Sequence, residues 1–259
     1  MHIKELFDLT GRVALVTGGA GIYGREICEA LAEAGAVVIV ASRNLENCEK
    51  FAREMRKKNL KAYGCKLDLS EKNSIIALRN EIVKRFGKTD ILVNNAVARI
   101  GKSFERMTEE DWELTSRINS TGLFLCSRIF IEQMKKQKSG NIINIASIYG
   151  IVGPDFNIYN KVNLVNPPDY SFNKGGMINF TRYMATCFAR HNIRVNCISP
   201  GGFYTGQEKS FHKEYCRRTP LGRMATKNDI KGAIVFLTSD ASSYITGINL
   251  PVDGGWTAW

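Results

Sequence analysis

The chain has little with which to hold a metal or a disulfide framework. Its three histidines, His2, His191 and His212, stand far apart without ligand spacing, which argues against a catalytic metal. Its seven cysteines (Cys28, Cys48, Cys65, Cys126, Cys187, Cys197 and Cys216) occur singly, with no C-x-x-C pair. An odd number of isolated thiols fits a reducing cytosol, where they serve as small core side chains. The 6 prolines are scattered and no low-complexity tract is present, so nothing in the composition points to disorder. Long apolar runs are missing too. The aliphatic stretch Ala36 to Ala41 is far too short to cross a bilayer. The residues Met1 to Leu6 carry neither the apolar core nor the cleavage site of a signal peptide. A soluble, cytoplasmic protein without a membrane partner is expected.

Acidic charge is in short supply: 25 Asp and Glu face 36 Lys and Arg, for a net charge of +11. No basic run or nucleic-acid motif accompanies this excess, and no nucleic-acid partner is expected. Basic residues alternate with Glu in segments such as Glu46 to Lys61, the pattern of a solvated helix face. A positive surface also steers anionic ligands, so a phosphorylated cofactor and an acidic substrate both suit it.

What the chain has is alternation. Short β-branched runs at Val13–Thr17, Val37–Ala41, Ala62–Leu67, Ile91–Asn94, Asn141–Ala146, Arg194–Ile198 and Ile248–Val252 read as strands. Between them lie helical patterns at 22–34, 45–58, 71–86, 109–137, 169–190 and 227–238. Thr108 to Asp111 reads as a capping box for the fourth of these. Such alternation implies βαβ units in one α/β domain over residues 1–259, a doubly wound parallel sheet with helices on both faces. Ligands in such sheets sit beyond the carboxyl ends of the strands, and polar or glycine-rich residues follow most of these ends.

After the first strand comes Thr17-Gly18-Gly19-Ala20-Gly21-Ile22-Tyr23-Gly24. Glycines let the backbone approach a pyrophosphate, and the following helix start offers unpaired N–H groups and a positive dipole end. The second strand ends in Ser42-Arg43-Asn44 with no carboxylate. A hydroxyl and a guanidinium there favour the 2′-phosphate of NADP(H) over the bare ribose of NAD(H). Further on, Tyr170 and Lys174 stand four residues apart and project from one helix face. Pro167-Pro168 before them suits a helix start. A tyrosine alone titrates near pH ~10, and a neighbouring ammonium favours its phenolate, which suits an acid–base group.

Taken in order, Asn119, Ser147, Tyr170 and Lys174 behind a glycine loop resemble the catalytic set of the short-chain dehydrogenase/reductase family. The resemblance covers nearly the whole chain and implies a Rossmann fold. In the family's loop, T-G-x-x-x-G-x-G, Thr17, Gly18 and Gly24 match, but Ile22 replaces the middle glycine. Gly21, one place earlier, is expected to take the permissive φ in its stead. Asp68-Leu69 resembles the adenine contact, and Asn94-Asn95-Ala96-Val97 resembles the N-N-A-G turn, with Val97 in place of its last glycine. The resemblance implies that Tyr170 is the general acid/base and that Lys174 holds the nicotinamide ribose. Ser147 would hold the substrate oxygen, and Asn119 would position a water behind Lys174. Arg194 to Gly201 is similar to the strand and turn beside the nicotinamide. Pro200, Gly201, Phe203 and Thr205 thereby join Gly18, Gly21, Ile22, Tyr23, Gly24, Ser42, Arg43, Asp68, Leu69, Asn95 and Ala96 as expected cofactor contacts. The C-terminal Val252-Asp253-Gly254-Gly255 resembles a region that commonly packs in a homotetramer, so a homo-oligomer, dimer or tetramer, is expected.

Ser147 and Tyr170 lie 23 residues apart, farther than the family usually sets them. The extra segment carries asparagine at every third position: Asn157, Asn160, Asn163 and Asn166. It reads either as a surface excursion or oligomer contact, or as a substrate rim whose amides engage sugar hydroxyls. A similar insert appears in reductases of bacterial nonulosonic-acid and surface-glycan biosynthesis. The leading expectation is NADP(H)-dependent interconversion of a ketone and a secondary alcohol on a sugar or sugar-derived substrate, with NADPH preferred over NADH. The alternatives are a 3-oxoacyl thioester reductase, whose acidic carrier protein the positive charge would suit, and a nucleotide-binding regulator without turnover.

Overall fold

A computed structural model of the chain describes residues 2–159 and 165–259. Seven strands, β1 (Val13–Thr17), β2 (Val37–Ser42), β3 (Ala62–Lys66), β4 (Ile91–Asn94), β5 (Gly140–Ile145), β6 (Ile193–Pro200) and β7 (Asn249–Val252), form one sheet in the order β3-β2-β1-β4-β5-β6-β7. Every pairing is parallel. The central strands β1, β4 and β5 are buried along their whole length, as a sheet covered on both faces requires.

The two-residue period of a strand sorts their side chains into two cores. Ala14 and Val16 of β1 and Val38 and Val40 of β2 face one side, where they meet α2 (Ile22–Glu33), α3 (Leu45–Lys57) and α9 (Lys231–Thr238) through Leu31, Phe51 and Leu237. Leu15 and Ile39 face the other side. There α4 (Lys72–Phe86), α6 (Leu123–Gln137) and α7 (Pro168–Phe188) supply Leu78, Phe130 and Met184.

The expected helix at 109–137 is not continuous. Thr108 caps α5 (Glu109–Ser116) by accepting the Asp111 N–H at 3.3 Å, while the Asp111 carboxylate accepts the Thr108 N–H at 3.1 Å. A π-helical turn, Arg117–Gly122, then separates α5 from α6. Such widened turns often mark functional sites, and this one carries Asn119. Two helices were not anticipated: α1 (Ile3–Leu6) and α8 (Lys209–Arg218). Among the described residues, no helix is long and apolar enough to cross a membrane.

The strand order reverses between β1 and β4, so the loops that follow them diverge and leave a cleft. Thr17 and Asn95 brace its floor. The Thr17 hydroxyl accepts the N–H groups of Asn95 and Ala96 at 3.0 and 3.1 Å, and the Asn95 amide donates to the carbonyls of Thr17 and Gly18, both at 3.0 Å.

Candidate active site

The cleft has a volume of about 770 Å³ and runs from Arg43 to Tyr170. Its phosphate end is shaped by close backbone approach. A Cβ on Gly24 would lie 2.2 Å from the Gly18 carbonyl oxygen, and one on Gly18 would lie 2.9 Å from the Ala96 Cα. Gly18, at φ +63°, holds the loop's left-handed position. This corrects the expectation for Gly21, which lies at φ −81° as the N-cap of α2, with no side chain capping the helix. Ile22 is the first residue of that helix and needs no permissive φ, so the missing middle glycine costs the loop no strain. Val97 is likewise absent from the positive-φ residues and half exposed, which explains how a β-branched side chain fits there.

At the other end of the nucleotide cleft, Ser42, Arg43, Asp68 and Leu69 line one wall. The Ser42 hydroxyl contacts the Asn44 carbonyl at 3.2 Å and the Cys48 thiol at 3.0 Å. Asp68 accepts the N–H and hydroxyl of Ser70 at 2.9 and 2.7 Å, and these bonds with nearby Arg43 outweigh burial to hold its carboxyl below the usual range. Opposite them, the Tyr23 hydroxyl donates to the Gly201 carbonyl at 2.7 Å, and its ring meets Phe203 edge-on at 5.0 Å. Tyr23 thus ties the phosphate helix to the loop after β6, where Pro200, Gly201, Phe203 and Thr205 all face the cleft.

The chemistry-bearing residues meet where β5 and α7 approach each other. Pro168 opens α7, and Tyr170 and Lys174 follow on one face, with the ammonium 5.6 Å from the phenol ring centroid. Lys174 is buried, and its ammonium donates to the Ile145 carbonyl of β5 at 2.6 Å. Burial pulls its pKa below the ordinary lysine value. Ser147 follows the same strand. Its oxygen accepts the Tyr149 N–H at 3.2 Å, an arrangement that leaves the O–H free as a donor, and Ser147 lines the cleft. Beneath them the buried Asn144 of β5 accepts from the Asn94 amide at 2.9 Å and donates to the Thr181 hydroxyl of α7 at 2.8 Å. That network locks α7 against the sheet and so sets where Tyr170 stands.

Asn119 plays a different part in the site. Its amide is spent on the Ala98 backbone, accepting the N–H at 2.8 Å and donating to the carbonyl at 2.9 Å. A small cavity of about 10 Å³ lies between Asn119, Asn173, Tyr170 and Lys174, at the lower limit of the space one water needs.

A family model described as enoyl-(acyl carrier protein) reductase matches residues 18–257. The chain is 36% identical over 260 residues to a 3-oxoacyl-(acyl-carrier-protein) reductase from Aquifex aeolicus, covering 98% of this chain and 99% of that one. It superposes with a TM-score of 0.91 and 31% identity on a gluconate 5-dehydrogenase from Burkholderia cenocepacia, solved in complex with NADP and tartrate, over 100% of both chains. A short-chain type dehydrogenase/reductase from Mycobacterium marinum gives a TM-score of 0.89 at 32% identity, again over 100% of both chains. The chain belongs to the short-chain dehydrogenase/reductase family.

As a member of that family it is an oxidoreductase acting on alcohol or ketone groups with a nicotinamide cofactor. The residues present fit that cofactor. Gly18 and Gly24 have no room for a Cβ against the neighbouring backbone, so the loop packs tightly beside the cleft, and the uncapped N-terminus of α2 offers unpaired N–H groups to a pyrophosphate.

Of the insert between Ser147 and Tyr170, the described residues Tyr159 and Val165 line the cleft, whereas Asn157 and Asn166 do not. Residues Phe156–Tyr159 form a 3₁₀ turn whose Ile158 is buried against Phe211 and Tyr215 of α8. Asn157 is exposed outside the cleft, and the Asn166 amide donates to the Ser171 hydroxyl at 3.2 Å. Asn160 and Asn163 lie outside the described residues. The cleft wall here is Tyr149, Tyr159 and Val165, with the Tyr149 and Tyr159 hydroxyls 2.8 Å apart. Sequence reasoning passed over Tyr149, Tyr159 and Asn144. Asn144 left a signal, a polar residue in the otherwise apolar run Ile142 to Ile145; the tyrosines left none.

Proposed function

We propose that this reductase uses NADPH in preference to NADH to interconvert a ketone and a secondary alcohol on a sugar-derived substrate, and that it works as a homo-oligomer in the cytoplasm. The observation that carries this reading is the convergence of Ser147, Tyr170 and Lys174 at one end of a cleft whose other end presents Arg43 and no carboxylate beyond the Ser70-bound Asp68. The cofactor, when bound, supplies or accepts the hydride. In the reducing direction the Ser147 hydroxyl donates a hydrogen bond to the substrate carbonyl oxygen and fixes its orientation. The Tyr170 hydroxyl gives that oxygen its proton as the alcohol forms. Lys174, anchored on Ile145, faces the tyrosine ring and supplies the cofactor ribose with a donor. Asn119, bonded to Ala98, keeps the turn after β4 in place and lines the small cavity behind Lys174.

The cleft near Tyr170 presents the Tyr149 and Tyr159 hydroxyls and Arg99 beside apolar side chains such as Val165, and these polar groups are what favours a short polyhydroxy ketone over an acyl chain. A 3-oxoacyl thioester is the second reading, favoured by the 36% identity to the Aquifex aeolicus reductase and by the net charge of +11. NADPH oxidation measured with a panel of keto-sugars and with 3-oxoacyl thioesters separates the two. Turnover of the thioesters alone would displace the sugar reading. Tyr170→Phe should lower turnover by at least about 10²-fold, the lower range for a positioned proton donor, while NADPH still binds. Undiminished turnover in that variant would remove Tyr170 from the mechanism.

A further inference from the structure

One charged side chain of the catalytic end has no task in the chemistry above. Arg99 follows β4 and lines the cleft with Ser147, Tyr159 and Tyr170. Its guanidinium carbon lies 4.5 Å from the Tyr170 ring centroid. Among the described residues it forms no ion pair. Met1 and residues 160–164, which lie outside that set, contain no Asp or Glu.

The other cations of the cleft are accounted for. Arg43 stands at the nucleotide end beside Asp68, the cleft's acidic residue, and Lys174 is bonded to Ile145. Arg99 is therefore an uncompensated guanidinium next to the proton donor. Its field reaches the neighbouring groups: after burial, Arg99 contributes to pulling the Lys174 pKa down, so the site favours an incoming negative charge. A planar guanidinium offers two parallel N–H donors to a carboxylate. Stacking on the Tyr170 face restrains its swing without using those donors.

We propose that Arg99 binds a carboxylate on the substrate, so that the reacting molecule is a hydroxylated keto acid rather than a neutral ketose. The carbonyl then sits at Ser147 and Tyr170, and the carboxylate a few carbons away on Arg99. The Tyr149 and Tyr159 hydroxyls, 2.8 Å apart, line the same cleft and offer partners to the substrate hydroxyls. This assignment rests on the sugar-ketone reading and narrows it to a substrate class.

The test compares kcat/KM for 5-keto-D-gluconate and for its primary amide, each with NADPH, in the wild type, Arg99→Ala and Arg99→Lys. D-gluconate binding to the NADP-loaded enzyme is measured alongside by calorimetry. The wild type is expected to prefer the acid. In Arg99→Ala the acid-to-amide ratio should fall on the order of 10–100-fold, about what one charge-assisted bidentate contact contributes. Gluconate binding should weaken in parallel, and Arg99→Lys should fall between. A purely structural role for Arg99 lowers both substrates alike and leaves the ratio unmoved. That result overturns the assignment while the sugar-ketone reading stands. Reduction of 3-oxoacyl thioesters, with neither ketone reduced and no gluconate bound, overturns both.

Discussion

Arg43 and Tyr170 mark the two ends of one cleft, and each was placed by a different kind of sequence signal. Tyr170 was legible because the i, i+4 spacing to Lys174 is a statement about helix geometry, and the helix formed with Pro168 at its start. Arg43 was legible as the residue that stands where a ribose-binding carboxylate is missing. If it reads the 2′-phosphate, Arg43→Ala should weaken NADPH binding by about tenfold or more, the loss of a charge-assisted contact. NADH binding should change little. Fluorescence titration of both cofactors checks this, and equal losses for the two would rule the role out. Gly21 was misplaced for an instructive reason. A glycine in a sequence signals permission for positive φ, but the loop spent that permission at Gly18 and used Gly21 as a helix cap. Two candidates three residues apart in one glycine loop cannot be told apart until the turn closes. Cys187 is similar: isolated cysteines read as core residues, and five of the seven are buried, yet Cys187 is exposed on the last turn of α7.

At the level of elements, strands were easier to place than helices. Each expected strand overlaps an observed one with ends shifted by at most two residues, because the buried apolar runs end where the polar loop residues begin. Helix α8 escaped notice because its buried face consists of Phe211 and Tyr215 alone, too little apolar periodicity to stand out among its basic residues. The break at Arg117–Gly122 escaped because the chain stays helical through it despite the weak helix formers Asn119, Ser120, Thr121 and Gly122, merely widening one turn. The turn between α8 and α9 carries a pH signature. Asp229 accepts both Arg223 guanidinium nitrogens at 2.7 Å and the Thr226 N–H at 2.6 Å, and the arginine above all holds its carboxyl well below the usual range. A carboxylate whose folded pKa is depressed contributes stability that is complete above its unfolded value, near pH ~4. That contribution fades as pH falls through the lower, folded value. Asp229→Asn should therefore lower thermal stability by a constant amount at neutral and mildly acidic pH. The gap from wild type should close only below about pH 4. The side chains are 50% and 26% exposed, so solvent screening limits the effect to about 1 kcal/mol or less. A gap that widened on acidification would contradict this assignment.

Across the whole molecule, the side carrying α5, α6 and α7 leaves more apolar surface uncovered than a polar face would. Leu114 of α5, Phe124 of α6 and Phe172 of α7 are 54%, 46% and 65% exposed, and Phe172 packs its ring on Trp112 of α5 at 5.3 Å. Single exposed hydrophobics are ordinary, but several on neighbouring helices are the mark of a contact surface. A second copy of the chain is the occupant that the expected homo-oligomer calls for, since a symmetric pair brings the same patch to itself. The net charge of +11 opposes that association, and added salt screens it. Light scattering should therefore find an oligomer at moderate ionic strength that loosens as salt is lowered. Phe124→Glu and Phe172→Glu place a carboxylate in the apolar contact, and each should shift the protein toward monomer. Helix α7 carries Tyr170 and Lys174 on its cleft side and Phe172 on its exposed side, so a second copy packed there would also brace the catalytic helix. The dissociated Phe172→Glu protein should consequently lose activity in proportion to the monomer fraction. A monomeric wild type of full activity would refute both the contact and its bracing role.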